Sequence, residues 1–222
     1  MQTIRFSFLA IAVAFLAFLS CNKSDVAPAT INSTSSTASK ASATGSTACG
    51  MHDCVYTQGG YGAPNGGPHD FMYANFYKAF PHGFHVGSYG PDKCVDGHNV
   101  WVTTPEAITA TLPVGGTPAV LTRSYTNKSP NNVLVGQLIT LCLNLGLEPY
   151  CPTFDKNTMT PLTDMIIASG TFKGMSVNDF FQLAGNVLGG CNTMYTPSQV
   201  NEAATAINEN YEGGDHGFLT CP

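Results

Sequence analysis

Eight cysteines constrain how this 222-residue chain can fold. They run from Cys21 to Cys221, and no two of them form a C-x-x-C pair. That spacing disfavours a thioredoxin-type redox site and a zinc ribbon. Such thiols pair as disulfides in an oxidising compartment but stay reduced in the cytosol. Whether the cysteines form disulfides therefore depends on the compartment, and the N-terminal sequence indicates which compartment that is.

The N-terminal segment is typical of an export signal. Arg5 precedes an apolar run over residues 6–19, which is shorter than the roughly 20 residues of a membrane span. The run ends in F-L-S-C, which resembles the bacterial lipoprotein box with Phe18 in place of leucine. The resemblance implies a signal peptide over 1–20 and lipidation of Cys21, with a plain signal peptide and an incidental cysteine as the alternative. Because Asn22 rather than aspartate follows, the expected address is the outer membrane or the cell surface.

The segment that follows is predicted to be a tether. Residues 21–47 are rich in Ser, Thr and Ala and contain almost nothing large and apolar, so they cannot offset the entropy of ordering. A stalk and a mere spacer are both open interpretations. The globular domain is expected over residues 48–222.

The low content of charged residues indicates which classes of partner the protein can bind. Only 10% of the residues are charged, against about 25% in average soluble proteins, which suits an exported protein with a neutral polar surface. The formal net charge is −5 and no stretch is rich in Lys or Arg. A nucleic-acid partner is therefore excluded, because nothing would neutralise its phosphates.

Hydrophobic periodicity and capping residues predict a helix-rich α+β fold. We expect a single domain of about five to seven helices with one small β-hairpin. The strands are predicted over 84–89 and 98–104, and the glycine-rich segment 58–68 is interpreted as an ordered surface turn. The helices are predicted over 70–80, 105–112, 131–146, 176–190 and 196–214, with a further short one after Pro113.

The remaining cysteines are seven in number if Cys21 is lipidated. An odd count leaves at least one thiol free or paired outside the chain. Cys142, in the most apolar segment, is the predicted free and buried thiol. Cys54 and Cys221 lie at the two ends of the domain, where a bridge would close a very long loop, and the other pairings stay open.

The segment CVYTQGGYG at 54–62 resembles the opening of secreted or surface-exposed bacterial domains that begin with C-x-x-T-Q-G and an aromatic residue. The resemblance covers residues 54–221, supports a bridge between Cys54 and Cys221, and implies no activity. It departs at Tyr61, where tryptophan is expected, and in the loops around Cys94 and Cys151. The further matching pieces, in order, are FPHGFHVG (80–87), LPVGGTP (112–118), VGQLITLCLN (135–144), IASG (167–170), GMSV (174–177), VLGG (187–190), AINENY (206–211) and GFLTC (217–221).

Histidines supply the candidate metal site. His82 and His85 lie close in sequence, and the predicted hairpin would bring His98 across to them. Imidazoles fixed by strands bind zinc or copper, and Asp96 could join them. The alternative is that these are exposed loop histidines.

The sequence shows no pattern for nucleophilic catalysis but offers aromatic candidates for ligand binding. The sequence has no G-x-S-x-G motif, and no Ser or Cys with an identifiable activating base. Tyr56, Tyr61 and Trp101 are candidates for a sugar-binding platform, the alternative being that they are core aromatics.

Two functions of different class follow. The favoured one is a lipid-anchored cell-envelope protein that displays a non-catalytic binding or structural module, with a glycan or another envelope component as partner and no cofactor. The alternative is an extracytoplasmic metal-binding protein or metal-dependent hydrolase that uses His82, His85 and His98.

Overall fold

The computed structural model describes residues 49–50, 52–90 and 94–222. The predicted signal peptide, Cys21 and the tether therefore lie outside the described residues. The described chain forms one helix-rich α+β domain, which confirms the predicted class. Its helices are α1 (Gln58–Gly62), α2 (Gly67–Ala79), α3 (Pro105–Thr111), α4 (Val133–Leu147), α5 (Val177–Leu188) and α6 (Pro197–Asn208), with 3₁₀ turns at Glu148–Tyr150 and Leu162–Asp164. Its strands are β1 (Phe84–Gly87), β2 (Asn99–Val102), β3 (Tyr125–Thr126), β4 (Ile166–Ile167) and β5 (Leu219–Thr220).

Helix α4 is the centre of the domain. Twelve of its 15 residues are buried, and α1, α2, α5, α6 and β1 all pack against it. Within the described part of the chain, Val133–Tyr150 is the one helical stretch long and apolar enough to cross a membrane by length and composition. Since 67% of that stretch is buried inside the domain, it serves as the core helix, which accounts for its hydrophobicity on nearly every side.

Two small sheets flank this core. Strands β1 and β2 pair antiparallel with Phe84 opposite Val102 and Gly87 opposite Asn99, which confirms the predicted hairpin. Strand β3 adds to β2 in parallel, and β4 pairs antiparallel with β5. The sequence analysis did not predict these last three strands, because two residues are too few to show an alternating pattern.

The predicted helix starts are confirmed where a side chain caps the helix. The hydroxyls of Thr104, Ser176 and Thr196 each accept a hydrogen bond from an N–H in the first turn of α3, α5 and α6. The predicted end of α6 is wrong, since the helix stops at Asn208 rather than at 214. The chain turns there because Asn210 Oδ1 accepts hydrogen bonds from the N–H groups of Phe218 and Leu219 in the returning strand.

Two other local predictions are wrong for a related reason. The segment after Pro113 forms no helix, because Gln58 and Asn132 side chains bond its backbone groups at Val114 and Ala119. The glycine-rich segment 58–68 is not a surface turn throughout. It contains α1 and the start of α2, and Thr57 caps α1 by accepting from the N–H of Gly60.

Three disulfides join distant parts of the domain: Cys49–Cys221, Cys54–Cys151 and Cys94–Cys191. The predicted pairing of Cys54 with Cys221 is wrong, although both residues are bridged. Strand β5 returns beside Cys49, whereas Cys54 faces the turn that follows α4. Cys142 is buried as predicted but is not a free thiol, and none of the described cysteines is free. The three disulfides fit an extracellular or exported protein.

Candidate ligand-binding surface

The outer face of the three-stranded sheet carries three aromatic rings in a near-parallel arrangement, which we call the ring stack (Tyr89, His85 and Trp101). The His85 and Tyr89 ring centroids are 3.5 Å apart with 7° between the ring planes. The His85 and Trp101 centroids are 5.5 Å apart with 10° between the planes. Tyr89 and Trp101 remain 38% and 39% exposed, so the stack presents aromatic surface to solvent at both ends.

The alternation of the strands places these rings on one face. Val86 and Val100 point into the core, which turns their neighbours His85 and Trp101 outward. The register puts Trp101 directly opposite His85, so the two rings meet across the strand pair. The Trp101 indole N–H also donates to the His82 carbonyl oxygen at 3.3 Å, which fixes the tilt of the indole.

Tyr89 is held by the loop that joins the two strands. The N–H of Ser88 donates to the His98 carbonyl at 2.9 Å, and the N–H of His98 donates to the Gly189 carbonyl at the end of α5 at 3.0 Å. The disulfide Cys94–Cys191 ties the same loop to the same end of α5. The ring stack therefore rests on a cross-linked base.

Polar groups border the stack at β3 and in the segment before it. Thr126 is exposed and lies in register with Trp101, Ser124 Oγ accepts from the Asn99 N–H at 3.2 Å, and the exposed Arg123 lies over the Tyr125 ring. The Asn127 N–H donates to the Trp101 carbonyl at 2.8 Å. These contacts lock the strand that carries Trp101 and leave the Thr126 hydroxyl beside it.

The three candidate metal ligands do not converge. Trp101, rather than His98, lies opposite His85, because His98 precedes Trp101 by three residues and pairs through its backbone with Ser88. His82 is exposed on the turn before β1. Within the described ranges, no group of three His, Cys, Asp or Glu side chains is placed to hold a metal ion. His82, His85 and His98 therefore form no three-ligand group in the described part of the chain.

The predicted aromatic platform is only partly present. Tyr61 is fully buried, and its hydroxyl donates to Asn144 Oδ1 at 2.9 Å. The Tyr56 ring packs edge-on against Tyr61 and is not part of the stack around Trp101. Sequence reasoning missed Tyr89 as a ring partner. The available signal was its position four residues after His85 in the strand predicted over 84–89, since residues two and four apart in a strand share a face.

Tyr56 lines a separate cleft of about 280 Å³. The cleft also contacts Tyr211, whose ring packs on His52 with a centroid distance of 4.7 Å. Burial, with Asp215 and Glu148 nearby, raises the pKa of Tyr211, while burial and Asp53 raise that of Tyr56. Both hydroxyls therefore stay neutral at physiological pH, and the cleft has no basic residue in its wall.

Four polar residues in the segments that resemble secreted bacterial domains lie in the interior of the fold. Asn144 Nδ2 donates to Asn208 Oδ1 at 3.0 Å, and Asn208 Nδ2 donates to Gln137 Oε1 at 2.8 Å. Gln58 Oε1 accepts from the N–H of Val114 at 2.9 Å. These four side chains are buried, so their role in the described domain is to join elements rather than to face a ligand.

Comparisons with family models, with curated proteins and with solved structures found no match for this chain. The geometry of the ring stack and the sequence outside the described residues are therefore the features that bear on its function.

Proposed function

We propose that this protein is a non-catalytic glycan-binding module, displayed at the cell envelope on a lipid-anchored tether. The observation that carries the binding role is the ring stack, with two aromatic residues more than a third exposed on a disulfide-braced sheet. The secreted bacterial domains that the sequence resembles are consistent with this role and imply no activity.

The chemistry of the surface favours a neutral sugar. A pyranose ring presents an apolar C–H face that packs on an aromatic ring, while its hydroxyls need hydrogen-bond partners. The exposed Thr126, in register with Trp101, supplies such a partner beside the rings. A formal net charge of −5 disfavours a polyanionic glycan.

The anchor is supported by the N-terminal sequence. The apolar run over 6–19, the F-L-S-C ending and the Ser/Thr/Ala-rich segment after Cys21 form the order of signal, lipidation site and tether. The three disulfides agree with an exported location. Outer-membrane or cell-surface display would place the ring stack among envelope polysaccharides.

The binding role is tested by expressing the full 222-residue chain through its native export route and titrating the solubilised mature protein with a panel of neutral oligosaccharides. We expect Trp101→Ala and Tyr89→Ala each to weaken binding at least tenfold, because each removes an exposed ring of the stack. Tyr77→Ala is the matched control, since Tyr77 is 56% exposed on α2. Absence of binding to every glycan, or equal binding by all variants, would overturn the proposal.

The anchor is tested separately. Cells fed an alkyne-labelled fatty acid should incorporate the label into the wild-type chain but not into Cys21→Ser. Mass spectrometry should then place the lipid on an N-terminal Cys21. A mature chain that starts at another residue and carries no lipid would overturn this part alone.

A further inference from the structure

Besides its aromatic faces, the ring stack carries a ring nitrogen, His85 Nε2, that can form a hydrogen bond. We infer that His85 is a specificity-determining residue of the ring stack, whose Nε2 accepts a hydrogen bond from a ligand hydroxyl. This inference rests on the proposed function, and it selects ligands that offer an O–H donor at the solvent edge of the stack.

The first step is the orientation of the Asn99 side chain. Its Nδ2 donates to the Ser88 carbonyl oxygen at 3.2 Å, and only the NH₂ end of an amide can donate to a carbonyl. Asn99 is buried, so this orientation is fixed by its surroundings. Asn99 Oδ1 therefore faces His85 Nδ1, 3.1 Å away.

The second step is the His85 tautomer. Because Asn99 Oδ1 can only accept, His85 Nδ1 must carry the hydrogen. In the neutral ring, Nε2 then holds the lone pair. Nε2 has no partner among the described residues and, unlike Nε2 of His52, it is not sealed from solvent.

The third step is the rigidity of the ring. Tyr89 covers one face of His85 and Trp101 lies along the other, so the acceptor has a fixed position. A ligand reaches it only across the edge of the stack. A preorganised acceptor of this kind rewards a hydroxyl at one place and rejects a ligand that has an ether or a C–H there.

The fourth step is the charge state. The groups that face His85 are Tyr89 from the loop and Trp101 and Asn99 from β2, and none of them carries charge at neutral pH. Burial lowers the pKa of His85 from its usual value, and the Asn99 hydrogen bond opposes this only in part. The ring is therefore neutral at pH 7, and acidification through this lowered pKa converts Nε2 from acceptor to donor.

The experiment has two readouts. Imidazole ¹⁵N NMR of the ligand-free protein should show His85 as the Nδ1–H tautomer, and an Nε2–H pattern would overturn the inference directly. Glycan affinity should change roughly three- to tenfold as the pH drops through the titration of His85, because Nε2 changes from acceptor to donor. His85→Phe, which keeps a ring in the stack, should bind more weakly than the wild type at pH 7 and lose this pH dependence.

The matched control is His69→Phe, because His69 also packs on a tyrosine, Tyr73, with a centroid distance of 4.4 Å. This variant should keep both the affinity and the pH profile of the wild type. If glycan binding depends on Trp101 but His85→Phe keeps wild-type affinity and pH profile, only this inference fails. If no glycan binds at any pH, the proposed function and this inference fail together, while the tautomer measurement still stands.

Discussion

Asn144 uses all of its hydrogen-bonding capacity in the core. Its Oδ1 accepts from the N–H of Tyr56 at 3.0 Å and from the hydroxyl of Tyr61 at 2.9 Å. Its Nδ2 donates to the Tyr56 carbonyl and to Asn208 Oδ1, both at 3.0 Å. An amide offers two acceptor sites and two donors. A single side chain on α4 therefore joins the residues just before α1, α1 itself and α6.

Asn144→Ala should lower the free energy of unfolding by about 3 kcal/mol, because it leaves several buried polar groups without partners. Urea unfolding followed by circular dichroism measures the change. Asn157→Ala is the control, since Asn157 is exposed and bonds only to the nearby Asp155, and its effect should stay within about 0.5 kcal/mol. Equal stability of the two variants would contradict the assigned role of Asn144.

Tyrosine ionisation is a second property of single residues. Burial raises the pKa of Tyr61, and that of Tyr56 and Tyr211 with help from nearby acidic groups. In the unfolded chain these groups ionise near pH 10. Their folded pKa values are higher, so the stability they contribute is complete below about pH 10 and is lost as the pH rises above it.

Alkaline titration, followed by the ultraviolet absorbance of tyrosinate, should therefore show two classes among the nine tyrosines. Tyr56, Tyr61 and Tyr211 should ionise late or only on unfolding. In Tyr61→Phe the late class should shrink by one group. Simultaneous ionisation of all nine in the folded protein would contradict the burial of Tyr61.

At the scale of secondary-structure elements, a glycine allows two helices to pack closely. Gly136 lies in α4 where the Gln58 side chain of α1 crosses it, and a Cβ at Gly136 would collide with the Gln58 carboxamide and with Val114. That carboxamide holds the Val114 backbone N–H. The absence of a side chain at Gly136 therefore lets α1 and the segment after α3 dock on the core helix.

Gly136→Ala tests two opposing effects. Helix propensity favours alanine by about 1 kcal/mol, whereas overpacking costs about 1–3 kcal/mol. A displaced Gln58 side chain would also lose its hydrogen bond from the Val114 N–H. We expect a net loss of roughly 2 kcal/mol in urea unfolding. Gly59→Ala is the matched control, because Gly59 is an exposed helical glycine with open space around it, and it should be neutral or slightly stabilising. A stabilised Gly136→Ala would show that the contact relaxes.

At the scale of the whole domain, three disulfides join distant parts of the described chain. Cys49–Cys221 joins residues 172 apart in sequence, and Cys54–Cys151 and Cys94–Cys191 each join residues 97 apart. In the chain-entropy account such bridges stabilise by restricting the unfolded chain. Only the last one also braces the loop that carries Tyr89, so stability and ligand binding should depend on different disulfides.

Removing each bridge separately tests this division. Cys49→Ser with Cys221→Ser should cost about 2–4 kcal/mol of stability while glycan affinity is kept, because the loop is long and the bridge is remote from the ring stack. Cys94→Ser with Cys191→Ser should weaken glycan binding as well. Peptide mapping without reduction should recover these three pairs, and a different partner for any of their six cysteines, or equal binding by both double variants, would contradict this division.

Local signals in the sequence predicted much of the architecture. Proline or hydroxyl caps marked the starts of α3, α5 and α6, and the apolar run of α4 predicted a buried helix. The hairpin followed from two β-forming segments across a polar loop. These features depend on residues a few positions apart, so a sequence read alone contains them.

Contacts between distant residues were decided by the tertiary structure. Whether Cys54 meets Cys221 or Cys151 depends on where β5 returns, and whether Tyr61 faces ligand or core depends on Asn144, 83 residues away. The register of β1 and β2 placed Trp101, not His98, against His85. A shift of one residue would reverse every side chain, and the packing of the sheet on α4 and α5 selects the register. The sequence by itself determined the starts of α3, α5 and α6, the buried helix α4 and the hairpin, because these depend on residues close together in the chain. The packing of the whole chain decided which side chains form the site, because that depends on contacts between residues far apart in sequence.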